Sequence, residues 1–150
     1  MPTLIQNKKA KFDYEILETF GAGIELFGLE TKALRSKRAS LDGSHVTVRG
    51  NEAFLINMSI PPYQASNTPA DYDPERNRKL LLTGAELARL SGLEGQKGLT
   101  IVPLSVYTKG RKIKVEIAVV RGKKKFDKRE ILKKRDTERE MRRTLKYRDD

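Results

Sequence analysis

The sequence contains no cysteine and only one histidine, His45. Without cysteine there is no disulfide framework, no thiolate nucleophile and no cysteine-ligated metal site. The histidine lies in an alternating apolar and polar segment, where a single imidazole is far more often a packing or surface residue than a catalytic base. No stretch approaches the roughly 20 apolar residues of a membrane-spanning helix, and the N-terminus has no apolar segment of signal-peptide length. These absences favour a cytoplasmic protein.

Sequence motifs for catalysis are also missing. The chain has no HExxH, EF-hand or P-loop spacing, and residues 21–26 lack the third glycine of a dinucleotide-binding loop. Its carboxylates are scattered, without the clustered Asp and Glu that hold two Mg²⁺ ions in a nuclease. We therefore expect a protein that is not an enzyme and has no cofactor, metal site or small-molecule substrate. A metal-dependent nuclease is the enzymatic alternative, and a lack of Mg²⁺-dependent cleavage would exclude it.

The charge balance indicates the class of partner. The net charge is +11, the charged fraction is 34% and the apolar fraction is 37%, so a normal core is diluted by a highly charged segment. A strongly basic protein favours a polyanionic partner. An acidic membrane surface would require a basic amphipathic helix with a wide apolar face, and none is evident. We expect nucleic acid as the partner and no membrane.

Alternating apolar and polar residues predict a chain dominated by short strands. The clearest pair is a hairpin with strands over residues 99–107 and 112–119, where Gly110 in the turn tolerates a positive φ. Shorter strands are predicted over residues 11–16, 24–27, 44–49 and 53–58, with turns at 21–23 and 50–51. About six short strands with few helices indicate a mainly β fold, a small closed antiparallel barrel of the OB type.

Two or three short helices are predicted beside the strands. Residues 29–35 form the first, and residues 75–82 and 85–90 form two more, with Thr83 available as the N-cap of the last. Residues 61–74 contain four prolines and therefore predict a surface loop.

The composition changes abruptly near the C-terminus. Residues 121–150 contain 14 Lys or Arg against 7 Asp or Glu, so they carry +7 of the net charge. Their apolar residues form no continuous helical stripe, and such a segment is a weak helix alone in water. Their cations do form a helical stripe, made of Lys128, Arg135, Arg139, Arg142 and Lys146. We therefore expect a basic C-terminal tail that is disordered when free and helical when bound.

Basic residues fall into three groups, which we take as candidate RNA-binding sites. The groups lie before the first strand, around the first helix and at the base of the tail: Asn7, Lys8 and Lys9; Lys32, Arg35 and Lys37; and Lys123, Lys124, Lys125, Phe126, Lys128 and Arg129. An aromatic side chain among cations lets a base stack while phosphates are neutralised. The absence of a helix-turn-helix or zinc-finger pattern favours RNA over DNA. The chain thus divides into an OB-type RNA-binding barrel over residues 1–122 and the tail over residues 123–150.

Five ordered segments also resemble one known family. They are residues 7–10 (NKKA) followed by Tyr14, 22–24 (AGI), 28–35 (GLETKALR), 73–82 (DPERNRKLLL) and 122–129 (GKKKFDKR). Across nearly the whole chain they resemble SmpB, the SsrA-binding proteins of bacterial trans-translation. The resemblance implies a barrel that binds the tRNA-like domain of tmRNA (SsrA RNA) and delivers it to stalled ribosomes. It also implies that the tail occupies the empty mRNA channel near the 16S rRNA decoding centre, with 23S rRNA as a further candidate partner.

The resemblance assigns roles to single residues. Glu30 and Arg35 match the family's RNA-contacting helix, and Leu81 and Lys114 match barrel positions associated with tmRNA binding. The other matches are the N-terminal motif, the Arg-x-Arg-Lys segment and the tail base: Asn7, Lys8 and Lys9; Arg76, Arg78 and Lys79; and Lys123, Lys124 and Phe126. Two alternatives stay open, because Leu81 could be a core residue and Glu30 could cap its helix or pair with Arg35.

The chain departs from the family pattern at several positions. Residues 43–46 read Gly-Ser-His-Val where Asp-Ser-Tyr-Val is common, and Tyr72 and Thr83 stand where the family often has other residues, including histidine. We therefore assign no RNA contact to His45, Tyr72 or Thr83. The alternative function within the binding class is an OB-type ribosomal or initiation-like protein that binds rRNA without tmRNA.

Overall fold

The computed structural model of the protein describes residues 2–122, without the side chains of Lys11 and Ala65. Within these residues, seven strands and three α-helices follow one another. Their bounds are β1 Thr3–Gln6, α1 Lys8–Asp13, β2 Tyr14–Ile24, α2 Gly28–Arg35, β3 His45–Arg49, β4 Glu52–Ile56, β5 Arg78–Leu81, α3 Gly84–Leu93, β6 Leu99–Lys109 and β7 Lys112–Gly122. A 3₁₀ turn at Ala65–Asn67 lies between β4 and β5. No helix in this part of the chain is long and apolar enough to cross a membrane.

All seven strands form one antiparallel sheet, in the order β1-β6-β7-β2-β5-β4-β3. The sheet curls far enough for the edge strand β3 to contact β6, but no ladder within residues 2–122 joins the two edges. The predicted mainly β antiparallel fold is confirmed, whereas the predicted closure into a barrel of about six strands is wrong. Two of the seven strands, β1 and β5, were not predicted, and each has only four residues, too few to show a clear alternation in the sequence.

The two faces of the sheet are covered differently. The inner face holds the main core, to which the alternate residues of β7 and the helices α2 and α3 contribute Ile113, Val115, Ile117, Val119, Ala33, Leu34 and Leu90. On the outer face, α1 packs at one end only, where Ala10 lies in a second cluster with Val102 and Val120. The other end of the outer face is uncovered, and Leu81 is 50% exposed there.

The predicted turn at residues 21–23 is wrong, because β2 runs through it without interruption. The two glycines make room for neighbouring side chains and do not end the strand. A Cβ at Gly21 would lie 2.9 Å from the Tyr107 hydroxyl, and a Cβ at Gly23 would lie 3.1 Å from the Cβ of Leu81. Glycine in a strand often marks such a close approach.

Two further elements differ from the prediction. Residues 75–82 are not a helix, because Arg78–Leu81 pairs as β5 between β2 and β4 and turns Leu80 into the core. Pairing with neighbouring strands here overrides local helix propensity. The predicted strand over residues 11–16 begins as α1, and β2 starts only at Tyr14.

The predicted strand over residues 24–27 is also wrong, because β2 ends at Ile24 and residues 25–27 connect it to α2. The remaining predicted helices and strands are confirmed. The first helix is α2, and the last is α3, where the Thr83 hydroxyl accepts the Glu86 amide and the Glu86 carboxylate accepts the Thr83 amide. The long hairpin is β6–β7, and Gly110 in its turn has a φ of 63°.

Candidate nucleic-acid interface

The uncovered end of the outer face contains a row of residues that lie directly opposite one another. Leu81 of β5 faces Gly23 of β2. Lys114 of β7 faces Gly23 on one side and Tyr107 of β6 on the other. Directly opposite residues of antiparallel strands share one face of the sheet. The sheet therefore brings Leu81 and Lys114, two of the predicted site residues, to either side of a glycine.

A groove of about 340 Å³ lies along this row. Its lining includes the apolar side chains of Ile24 and Leu81 and the cations Arg111, Lys112 and Lys114. Because Leu81 is half exposed, the alternative that it belongs to the core is wrong. An exposed leucine beside three cations suits a partner that combines flat apolar surfaces with anions, as nucleotides do.

The C-terminal end of α2 adds basic residues beside the groove. The Arg35 guanidinium donates a hydrogen bond to the Arg111 carbonyl at the hairpin turn, with an Nη2···O distance of 3.0 Å. Lys32 and Lys37 are exposed. Lys37 follows the helix with a φ of 60°, a left-handed conformation that costs a non-glycine residue about 1 kcal/mol. A lysine at this position places a cation where glycine would be less strained.

At the N-terminal end of α2, the carboxylate of Glu30 is fully buried between two guanidinium groups. Arg78 approaches Oε2 with its Nε at 2.7 Å and its Nη2 at 2.6 Å. Arg76 donates from Nε to Oε2 at 3.1 Å and from Nη2 to Oε1. Oε1 also accepts the amide of Phe27 at 2.8 Å. Glu30 therefore caps its helix, as one alternative held, and pairs with Arg76 and Arg78 instead of Arg35.

The same network joins α2 to the segments on either side of the proline-rich loop. Arg78 is itself fully buried, and its Nη1 donates to the Met58 carbonyl at 2.7 Å. The Tyr72 hydroxyl donates to the Ile60 carbonyl at 2.8 Å and lies 3.2 Å from Oε2 of Glu30. Each buried polar group of this network thus has a partner, which is what makes a buried charge tolerable.

The protonation states follow from these contacts. Burial alone would raise the pKa of Glu30, but hydrogen bonds from Arg76 and the Phe27 amide, together with the charge of Arg78, lower it below its usual 4.5. Burial and the Glu30 charge raise the pKa of Tyr72. At neutral pH the network consists of a carboxylate, two guanidinium groups and a neutral phenol.

Burial separates the predicted site residues into two kinds. Glu30 and Arg78 have no exposed surface, so any effect they have on RNA binding acts through the position of α2. Arg76 keeps 23% of its side chain exposed, and its guanidinium lies 3.9 Å from the centroid of the Phe27 ring. Sequence reasoning did not single out Phe27, and it named Tyr72 only as a position without an RNA contact; the available signal was an aromatic at a helix start and another in a proline-rich loop.

The N-terminal motif lies at the opposite end of the outer face from the groove. Asn7 is buried, and its side chain accepts the Ala10 amide at 3.3 Å and donates to the Pro103 carbonyl at 2.9 Å. It fixes α1 on β6. Lys8 and Lys9 are exposed in the first turn of α1, where the helix dipole disfavours cations. Their position therefore does not stabilise the helix.

The remaining predicted residues fall into two sets. Lys79 is partly exposed and pairs with Glu52 at 3.3 Å. The tail-base residues Lys123, Lys124, Lys125, Phe126, Lys128 and Arg129, like the predicted tail of residues 123–150, lie outside the described residues. Among residues 2–122, no three His, Cys, Asp or Glu side chains are grouped so that they could hold a metal ion.

Comparison with known proteins gives a consistent result. The family model described as SmpB protein matches residues 4–147. The chain is 49% identical over 143 residues to the SsrA-binding protein of Gloeothece citriformis, covering 95% of this chain and 92% of that protein. It is also 49% identical to the SsrA-binding protein of Chloroflexus aggregans, with 95% and 90% covered.

A solved structure agrees with the sequence relatives. It is described as "tmRNA-SmpB: a journey to the center of the bacterial ribosome", and its matching chain is 45% identical with a TM-score of 0.69. The match covers 83% of this chain and 87% of that one. With a family model that spans almost its whole length and relatives near half identity, the chain belongs to the SmpB family.

Proposed function

We propose that this protein is an RNA-binding adaptor of trans-translation, which binds the tRNA-like domain of tmRNA and delivers it to stalled ribosomes. The observation that carries this proposal is family membership, since the relatives are SsrA-binding proteins and the related structure concerns tmRNA-SmpB and the ribosome. The protein acts by binding and not by catalysis. Because its proposed partners are tmRNA and the ribosome, we place its action in the cytoplasm.

The outer-face groove is the proposed contact with the tRNA-like domain. Leu81 and Lys114 lie together on an uncovered surface, and Arg35 is held at its edge. The apolar side chain offers a surface to a base or sugar, while the cations neutralise phosphates. Glu30, Arg76 and Arg78 contribute by fixing α2, and through it Arg35, relative to the sheet.

The second basic region is proposed to serve the ribosome. β7 is continuous from the groove to Gly122, where the tail begins. The eight residue steps from Lys114 to Gly122 span roughly 26 Å in a strand, and Lys8 and Lys9 lie near that far end because Tyr14, which follows α1, pairs with Gly122. We propose that Lys8, Lys9 and the tail face ribosomal RNA in the mRNA channel while the groove holds tmRNA.

A competition titration tests the function. Labelled tRNA-like domain is titrated at physiological salt against elongator tRNA and a random hairpin of equal length. We expect preference for the tmRNA domain, a roughly tenfold loss in the double variant Leu81→Ala with Lys114→Gln, and nearly unchanged binding after deletion of residues 131–150. The control Lys97→Gln removes an exposed cation two residues before the start of β6, away from the groove.

The outcomes separate the alternatives. Equal affinity for all three RNAs would contradict the tmRNA adaptor and favour an rRNA-binding protein. Loss of the preference on removal of the tail alone would contradict the assignment of tmRNA recognition to the groove. Circular dichroism of each variant checks that its fold is retained.

A further inference from the structure

The tip of the β6–β7 hairpin carries an arrangement of charge that the fold alone does not explain. Lys109 and Lys112 lie directly opposite each other at the last pair of the ladder, and both are exposed. Like charges directly opposite on neighbouring strands are destabilising. Arg111 lies between them in the turn.

A fourth cation is held against this tip. The hydrogen bond from the Arg35 guanidinium to the Arg111 carbonyl brings a charge from another element to the same place. None of the four side chains forms an ion pair with an acidic residue of the described chain. The fold therefore collects Arg35, Lys109, Arg111 and Lys112 without an anion of its own to compensate them.

We propose that these four residues, the tip cluster, form a binding site for phosphates of the RNA that occupies the outer-face groove. The inference rests on the proposed function and extends it to Lys109, Arg111 and Lys112, which lie outside the sequence-predicted site. Arg111 and Lys112 line the same groove as Leu81 and Lys114, so one strand of RNA can meet the apolar part and the tip cluster together. Arg35 contributes its charge and also positions the turn.

The free protein and the complex should respond to this cluster in opposite directions. Removing charge from the tip relieves repulsion in the free protein but removes phosphate contacts from the complex. A purely structural role for these lysines would instead make stability and binding fall together. Glutamine is a suitable replacement because it keeps a polar, unbranched side chain.

The test is the double variant Lys109→Gln with Lys112→Gln in the full chain. We expect its Tm to rise by about 2 °C and its affinity for the tRNA-like domain to fall roughly tenfold. The slope of log affinity against log salt should decrease in magnitude by about 1.4 to 1.8, the contribution of two phosphate contacts.

The matched control is the double variant Arg49→Gln with Lys97→Gln. It removes the same charge from exposed positions outside the groove, and Arg49 faces Glu52 across β3–β4, so its Tm should not rise. Its salt slope should equal that of the original protein. A tip variant that binds with the original slope, or that loses affinity together with Tm, would overturn the proposal.

The result is distinguishable from failure of the proposed function. If the original protein showed no preference for the tmRNA domain, the adaptor role would fail. The tip cluster would still be supported as a phosphate site if the tip variant alone lowered the salt slope on any of the RNAs tested.

Discussion

The two ends of α2 hold charged side chains in opposite ways. At its N-terminal end, Glu30 is fully buried and its charge is matched by Arg76 and Arg78. At its C-terminal end, Arg35 is exposed and donates to a carbonyl beside other cations. A buried charge is tolerated only when paired, whereas an exposed excess of one sign remains available to a partner of the opposite sign. The first end fixes the fold, and we propose that the second leaves charge for RNA.

The largest expected effect comes from breaking the buried end. Glu30→Gln leaves the buried Arg78 and the partly exposed Arg76 near each other without a counter-charge, and we expect a loss of about 3 kcal/mol in the free energy of unfolding. Urea denaturation measures it. The control Glu25→Gln removes an exposed carboxylate five residues earlier and should change stability by less than about 0.5 kcal/mol. Similar values for the two variants would contradict the distinction between the two ends.

Acid should remove the stabilisation that the buried Glu30 carboxylate provides. The folded pKa of Glu30 is below its usual 4.5, so its stabilising contribution is fully present above pH 4.5 and is lost as pH falls through the folded pKa. The stability difference between the original protein and Glu30→Gln should therefore shrink below pH 4.5. Urea denaturation at a series of pH values measures this difference. A difference that grows with acid would mean that the pKa is raised in the folded protein.

The smallest expected effect concerns Gly23, at the centre of the groove that lies beside the exposed end of α2. In Gly23→Ala the new Cβ would lie 3.1 Å from the Cβ of Leu81, so we expect a loss of about 1 kcal/mol as Leu81 is displaced. Gly92→Ala in α3 meets nothing within 4 Å and should stabilise by about 0.5 kcal/mol. Thermal unfolding compares the two. Equal shifts would show that the groove tolerates a side chain at its centre.

Local patterns predicted much of the fold. The alternation of apolar and polar residues in β7 predicted which of its faces is buried. Gly110 predicted the hairpin turn, and Thr83 predicted the N-cap of α3. The misassigned regions depend on distant partners. Residues 75–82 contain good helix formers, yet Arg78–Leu81 pairs with β2 and β4. Gly21–Gly23 resembles a turn, yet the glycines accommodate Tyr107 and Leu81 from other strands.

The site was predicted from family motifs and basic clusters, which mark charged residues without showing their burial. Glu30, Arg78 and Asn7 match those motifs but are buried and hydrogen-bonded within the fold. The sequence shows these polar side chains but not their distant partners: Arg76 and Arg78 lie 46 and 48 residues from Glu30, and Pro103 lies 96 residues from Asn7. For the same reason the tip cluster became visible only when α2 and the hairpin were placed together.

The most direct test of the central claim, that the outer-face groove contacts tmRNA, uses the absence of cysteine from the chain. Leu81→Cys and Lys97→Cys each provide one attachment point for a hydroxyl-radical probe, the first in the groove and the second just before β6, at the end of that strand away from the groove. With the tRNA-like domain bound, we predict strong cleavage of the RNA by the probe at position 81 and weak cleavage from position 97. Equal cleavage from both positions, or stronger cleavage from position 97, would contradict the account.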